Sequence, residues 1–230
     1  MSACSEFDGF SERYDEVLNH SLSRVGENKE YFVDGRIAIL QRCLHELGFT
    51  PHRVLDFGCG TGASLIRLSR IEGVTRVIGV DVSSQSIGVA RRVHAGLGLE
   101  FLCCADFTPE DNIDLAYCNG VFHHIAPSER DEWLRYVHAA LRPSGLFAFW
   151  ENNPWNPGTR YVMAGCEFDR DAQPIGPHAA RSLLSKAGFQ VLSTTYCFFF
   201  PHLLRFLRPV EKYLFRLPLG GQYQVLCKKP

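Results

Sequence analysis

Two adjacent histidines, His123 and His124, follow an apolar run that ends in Tyr117-Cys118-Asn119. Histidine titrates near neutral pH, so either ring could take a proton from a hydroxyl as that hydroxyl attacks an electrophile. Earlier in the chain, Val54-Leu55-Asp56-Phe57 runs into Gly58-Cys59-Gly60-Thr61-Gly62. Glycines where a strand hands over to a helix let the backbone turn sharply and approach a ligand closely. The helix start adds unpaired N–H groups and a partial positive charge. Asp56 sits at the carboxyl end of the strand. Asp81 lies 19 residues beyond Gly62, where an acid can accept hydrogen bonds from both hydroxyls of a ribose.

Two cofactor types compete for this loop. Gly58, Gly60 and Ala63 satisfy a degenerate G-x-G-x-x-A dinucleotide pattern. A pyrophosphate, however, should not be met by a carboxylate at the loop entrance. The methionine part of S-adenosylmethionine carries an ammonium and a sulfonium, and Asp56 suits that positive end. The carboxylate therefore favours S-adenosylmethionine.

These residues need a frame. Residues 6–20 read as a helix with Phe10, Tyr14, Val17 and Leu18 on one side, and residues 31–47 as a second, closed by Gly48. The period then changes. Strands are expected at 53–57, 76–81, 99–104, 113–118 and 146–150. Helices are expected between them: at 63–71, after the cap Ser83 with Ile87, Ala90, Val93 and Leu97 on one face, and after Pro127 with Trp133, Val137 and Leu141. Five strands alternating with helices describe a parallel sheet covered on both faces. Asn152-Asn153-Pro154 and Asn156-Pro157-Gly158 interrupt regular structure over 151–176. A helix at 177–187, a strand at 189–200 and a final strand at 221–228 follow, the last two close enough in sequence to pair antiparallel. No linker stands out. The reading is one domain over 1–230, with a helical cap (1–50), a cofactor half (51–150) and an acceptor-side half (151–230).

Val54 to Gly62 resembles the first motif of the class I S-adenosylmethionine-dependent methyltransferases. Asp81 resembles their second motif, and Ala105-Asp106-Phe107 the element that holds adenine. Leu141-Arg142-Pro143-Ser144-Gly145 is similar to their turn before the fifth strand, with serine for the first glycine. The resemblance spans about residues 50–150 and leans toward small-molecule enzymes of the quinone-biosynthesis type. It implies a doubly wound α/β fold with seven strands in the order 3-2-1-4-5-7-6, the last antiparallel. It also implies that Asp106 bonds the adenine amino group with Phe107 beside the ring, and that Asn119 or Cys118 lies near the methionine part. Gly58, Gly60, Gly62 and Val82 join the implied cofactor set. Phe10 and Tyr14 could close over the ligand, and Arg36 could pair with its carboxylate.

Length and charge narrow the acceptor. The chain has 230 residues, 46% of them hydrophobic, and a net charge of −1, which argues against a partner held by overall charge such as DNA or RNA. Nine cysteines without a Cys-x-x-Cys pair read as reduced, buried small residues. No apolar run reaches the ~18 residues of a membrane span, and the N-terminus has no signal-peptide pattern, so a cytoplasmic protein is expected. No carboxylate with obvious ligand spacing accompanies the histidines, so no metal is expected. The acceptor pocket should come from 151–170, with Glu151, Asn152, Asn153, Trp155, Arg160 and Tyr161, and from 197–216. There Arg205, Arg208, Lys212 and Arg216 fall at helical spacing, and basic residues over a Leu/Phe surface suit a membrane surface or a lipid-linked acceptor. The expected activity is methyl transfer to a small-molecule oxygen with a histidine base. A nicotinamide-dependent oxidoreductase and a non-catalytic cofactor-binding protein remain the alternatives.

Overall fold

Val54 and Leu55, neighbours on the first strand, are both fully buried but lie in separate apolar clusters, as they must in a strand covered on both faces. The computed structural model describes residues 13–230. Helices α1 (Tyr14–Ser23) and α2 (Lys29–Glu46) precede strand β1 (Arg53–Phe57). Next come α3 (Leu65–Leu68), β2 (Arg76–Asp81), α4 (Ser84–Val93), β3 (Glu100–Cys103), β4 (Ile113–Asn119), α5 (Arg130–Ala140) and β5 (Leu141–Asn152). The chain ends with α6 (Pro157–Met163), α7 (Pro177–Lys186), β6 (Gln190–Cys197), a 3₁₀ run (His202–Val210), α8 (Glu211–Leu214) and β7 (Gln222–Lys228).

The sheet order is β3-β2-β1-β4-β5-β7-β6, parallel through β5, with β7 antiparallel to both β5 and β6. That is the expected topology. One face is covered by Ile37 and Leu40 of α2, Leu65 and Leu68 of α3, and Ile87 and Ala90 of α4. The other is covered by Leu134 and Val137 of α5 and Ala180 and Leu184 of α7. Because β1, β2, β4 and β5 run parallel, their carboxyl ends at Phe57, Asp81, Asn119 and Asn152 share one edge. Ligands bind there in such sheets.

Several boundaries differ from the sequence reading for local reasons. Residues 1–12, including Phe10, lie outside the described residues, and the first described helix begins at Tyr14. The helix expected over 63–71 is helical only at Leu65–Leu68. α4 stops at Val93, leaving Val93 and Leu97 exposed. Leu141 opens β5 opposite Ile113 instead of closing the helix: its own backbone is extended, and Pro143 disfavours helical backbone at Arg142 after it. Within the irregular 151–176 stretch, Asn156 accepts the Thr159 N–H and Pro157 takes the first helical position, so α6 forms there. The sixth strand ends at Cys197, before Phe198 at positive φ.

The basic 201–216 stretch is not one helical face. It is a 3₁₀ run kinked at Leu204, with Pro209 inside, followed by one short turn of helix. The eight described cysteines are free, seven of them buried, and Cys4 lies outside the described residues. No helix among the described residues is long and apolar enough to cross a membrane.

Candidate active site

The glycine loop is shaped by close approach. Gly58 has φ +72°, and a Cβ there would stand 2.2 Å from Val121 Cγ2, so the residue after β4 closes on the loop only because Gly58 is bare. The Gly60 N–H donates to Asp81 Oδ2 at 2.8 Å, and the Ser83 N–H donates to Asp81 Oδ1 at 2.9 Å. Asp81 therefore ties the end of β2 to the loop and caps the approach to α4. The sequence reading gave it only a ribose role. Gly62 closes the loop at φ +85° beside Phe101.

Asp56 is 3% exposed at the end of β1. Burial first, and then the Asp81 carboxylate, push its carboxyl up to about 8, while Arg36 opposes the shift. Arg36 is buried. Its Nε donates to the Tyr117 hydroxyl at 3.0 Å and its Nη1 to Gln222 Oε1 at 2.9 Å. Those bonds use two of five donors, so the guanidinium can still meet a carboxylate. Asn119 Oδ1, at the end of β4, is buried with no hydrogen-bond partner among the described residues. Such an orphaned acceptor costs about 1–3 kcal/mol, a cost that a ligand ammonium would remove. Asp106 is exposed on the turn after β3, with half-buried Phe107 beside it, and Val82 packs on the same core. Tyr14 opens α1, its side chain outside the described residues. The donor and acceptor set at this edge thus fits a cofactor with a cationic amino-acid end, a carboxylate and a ribose.

The histidines follow β4 on a turn. The His123 Nδ1–H donates to Glu151 Oε2 at 2.5 Å, and the His123 backbone N–H donates to Glu151 Oε1 at 3.2 Å. Asp169 Oδ1 stands 3.6 Å from His123 Nε2 and 3.5 Å from His124 Nε2. Burial by itself would depress His123, but Glu151 and Asp169 outweigh it and push the imidazole up to about 10. His124, a ring centroid 4.1 Å away, is pushed down to about 3 by burial and by the His123 charge. The carboxylates favour the charged form of His123, while burial and that charge favour the neutral form of His124.

A cavity of about 380 Å³ opens beside them. His123, His124, Asn119 and Asp169 form its polar end, and Val162, Met163, Phe168 and Phe198 belong to its apolar wall. The two expected stretches contribute less than anticipated. Glu151 is buried behind His123, Trp155 leans on His178 outside the cavity, and Arg160 and Tyr161 do not line it. Asn152 does, and the second stretch reaches it through Phe198 to Pro201. Sequence reasoning missed Asp169, Tyr117 and Gln222. Their only local signal was a polar side chain in or beside an apolar run.

His123, His124 and Asp169 offer three ligand atoms within 4.8 Å of one another, a group that could hold a metal ion. The carboxylate that the sequence reading did not find near the histidines is Asp169.

Known proteins resemble the chain in sequence and in fold. Residues 54–145 match a family described as a methyltransferase domain. An uncharacterized methyltransferase of Synechocystis is 29% identical over 168 residues, covering 70% of this chain and 77% of that protein. A trans-aconitate 2-methyltransferase of Escherichia coli is 28% identical over 151 residues, covering 62% of this chain and 59% of the enzyme. The chain thus spans about three fifths of that relative's length. In fold, it superposes on an S-adenosylmethionine-dependent methyltransferase of Thermotoga maritima with a TM-score of 0.68 at 17% identity, covering both chains fully. Residues 54–145 thus resemble a methyltransferase domain, and the glycine loop, the paired acids, the sheet order and these matches support a class I S-adenosylmethionine-dependent methyltransferase.

Proposed function

We propose that the enzyme methylates a hydroxyl oxygen of a small or lipid-linked acceptor held in the cavity beside His124. The observation that carries this reading is the histidine pair itself, with His123 held by Glu151 and His124 beside it, both lining a cavity that also has an apolar wall at Val162, Met163 and Phe198. S-adenosylmethionine supplies a methyl group on a positively charged sulfur. Asp56 and Asn119 suit its ammonium, Arg36 its carboxylate, Asp81 its ribose, and Asp106 with Phe107 its adenine. Gly58, Gly60, Gly62 and Val82 shape the surface beneath it.

His123 donates its Nδ1–H to Glu151, and its ring is almost wholly buried with Nε2 turned toward Asp169, so we assign it a structural part and not the base. It is a positioning residue that keeps the turn in place. His124 can accept the acceptor's proton. Its basicity is low, but an alcohol oxygen that gains a methyl becomes strongly acidic, so a weak base suffices late in the transfer. Asp169, 3.5 Å from His124 Nε2, stabilises the imidazolium that results. The apolar wall of Val162, Met163 and Phe198 excludes water and aligns the acceptor, and alignment alone contributes much of the acceleration.

The name of the trans-aconitate relative points to a second acceptor class, a carboxylate, whose oxygen needs no base. Turnover of hydroxyl and carboxylate acceptors by wild type and His124→Ala separates the two. Loss confined to hydroxyl acceptors supports the base. Undiminished turnover of a hydroxyl acceptor by His124→Ala rejects it.

A further inference from the structure

The segment after β6 is rigidly held underneath and apolar on top. Arg208 turns inward, where it bonds Glu27 and the Phe200 carbonyl and lies 4.3 Å over the Tyr31 ring. Glu211 accepts the backbone N–H groups of Phe199 and Phe200 at 3.2 and 3.0 Å. The His202 N–H bonds the Val25 carbonyl, and the Tyr196 N–H bonds the Phe215 carbonyl. These bonds fix the segment, yet Leu203 is 86% exposed, Phe206 71% and Tyr213 72%. Val210, Leu217 and Leu219 are exposed as well. A fixed backbone that presents this many large apolar side chains to water marks an interaction surface.

The charge around them has one sign. Arg205, Lys212 and Arg216 are exposed among the apolar residues. Glu211 is the single acid in 201–219, and it is turned toward the backbone amides. Long basic side chains interleaved with Leu, Phe and Tyr suit an anionic lipid surface, where rings and aliphatic groups enter the headgroup boundary and the cations meet phosphates. The same chain that lines the acceptor cavity at Phe198 to Pro201 becomes this patch at His202.

We propose that residues 202–219 seat the protein on the surface of an anionic bilayer, at the rim of the acceptor cavity. The consequence for catalysis rests on the acceptor reading above: a lipid-borne acceptor would reach the cavity past Phe199 and Phe200.

Co-sedimentation of the full chain with vesicles tests the seating without any methyl acceptor, so its failure and failure of the acceptor reading are separate results. Binding is expected to phosphatidylcholine vesicles carrying phosphatidylglycerol, to weaken at high salt, and to be slight without the anionic lipid. Arg205→Glu with Lys212→Glu should weaken it more than tenfold, at about fivefold per lost cation near the surface. Leu203→Ser with Phe206→Ser should weaken it comparably while leaving thermal unfolding and cofactor affinity unchanged, since neither residue lines the cavity. No sedimentation with anionic vesicles at low salt overturns the proposal. So does binding at the wild-type level by both double variants, and so does a protein partner captured by this face in preference to vesicles.

Discussion

His123 Nδ1 stands 2.5 Å from Glu151 Oε2, which fastens the turn after β4 to the carboxyl end of β5. Both residues are buried, so the contact is an ion pair removed from water. Breaking such a pair from one side costs about 3–5 kcal/mol.

Glu151→Gln should therefore lower stability by that order, and its pH dependence identifies the cause. The His123 imidazole is raised to about 10, well above the ordinary value of about 6.5 that it regains on unfolding. Its contribution is full below pH 6.5 and is lost as pH climbs through 10. Denaturant unfolding at pH 6 and at pH 9.5 should show wild type losing stability across the interval. The variant should start lower and change less. Equal stability of the two proteins at pH 6 would mean that the pair does not hold the turn.

His124→Ala should reduce turnover by roughly 10²–10⁴ on a hydroxyl acceptor, with cofactor affinity nearly intact. A rising limb near pH 6.5 is the ordinary expectation for a histidine base, but the geometry removes it. Burial and the neighbouring His123 charge push His124 down to about 3, so it stays neutral across pH 5 to 8. A wild-type limb near pH 6.5 that disappears in His124→Ala would show that the ring titrates normally.

Cofactor affinity should rise with pH. Burial and Asp81 push the Asp56 carboxyl up to about 8, and a cation placed beside it favours the ionised form. Binding then releases a proton below pH 8. The dissociation constant should fall by up to tenfold per pH unit between 6 and 8. Calorimetry in buffers of different ionisation enthalpy measures the released proton. Asp56→Asn should bind more weakly and lose the trend, and a flat wild-type profile would place the ammonium elsewhere.

Asp81→Ala removes bonds to two backbone N–H groups as well as the expected ribose contacts. Charge-assisted hydrogen bonds contribute about 1.5–3 kcal/mol each, so cofactor affinity should drop at least tenfold. Faster amide exchange at Gly60 and Ser83 should accompany the drop. Wild-type affinity by calorimetry would rule out a ribose role.

A chelator should leave turnover unchanged. His123, His124 and Asp169 are close enough to share an ion, but methyl transfer by in-line displacement needs none, and the cluster's ligand atoms are accounted for by the His123 and His124 contacts with Asp169. Restoration of chelated enzyme by one added divalent ion, with one ion bound per chain, would reverse that assignment.

The first strands and the glycine loop between them were legible because their signals are local. The strand-loop pattern of Val54 to Gly62 and the acid at Asp81 lie within a few residues of the parts they shape. The histidines were legible as residue types, but their inequality was not. It arises from Glu151 on another strand and Asp169 beyond α6, brought together only by the fold. The periodicity of Arg205, Arg208, Lys212 and Arg216 misled for a related reason. Spacing presumes an α-helix, whereas Pro209 and the kink at Leu204 make a 3₁₀ run, and Arg208 finds Glu27 and Tyr31 on the far side of the chain's fold.

The place of β7 between β5 and β6 sets an order of assembly. β6 precedes β7 in the chain yet touches the sheet only through it. During synthesis, β1 to β5 can pair as they emerge, and the glycine loop with them. β6 must wait for the strand that follows it. The cofactor half can therefore be built before the wall at Phe198 exists, and a nascent chain should bind its cofactor before it can enclose an acceptor.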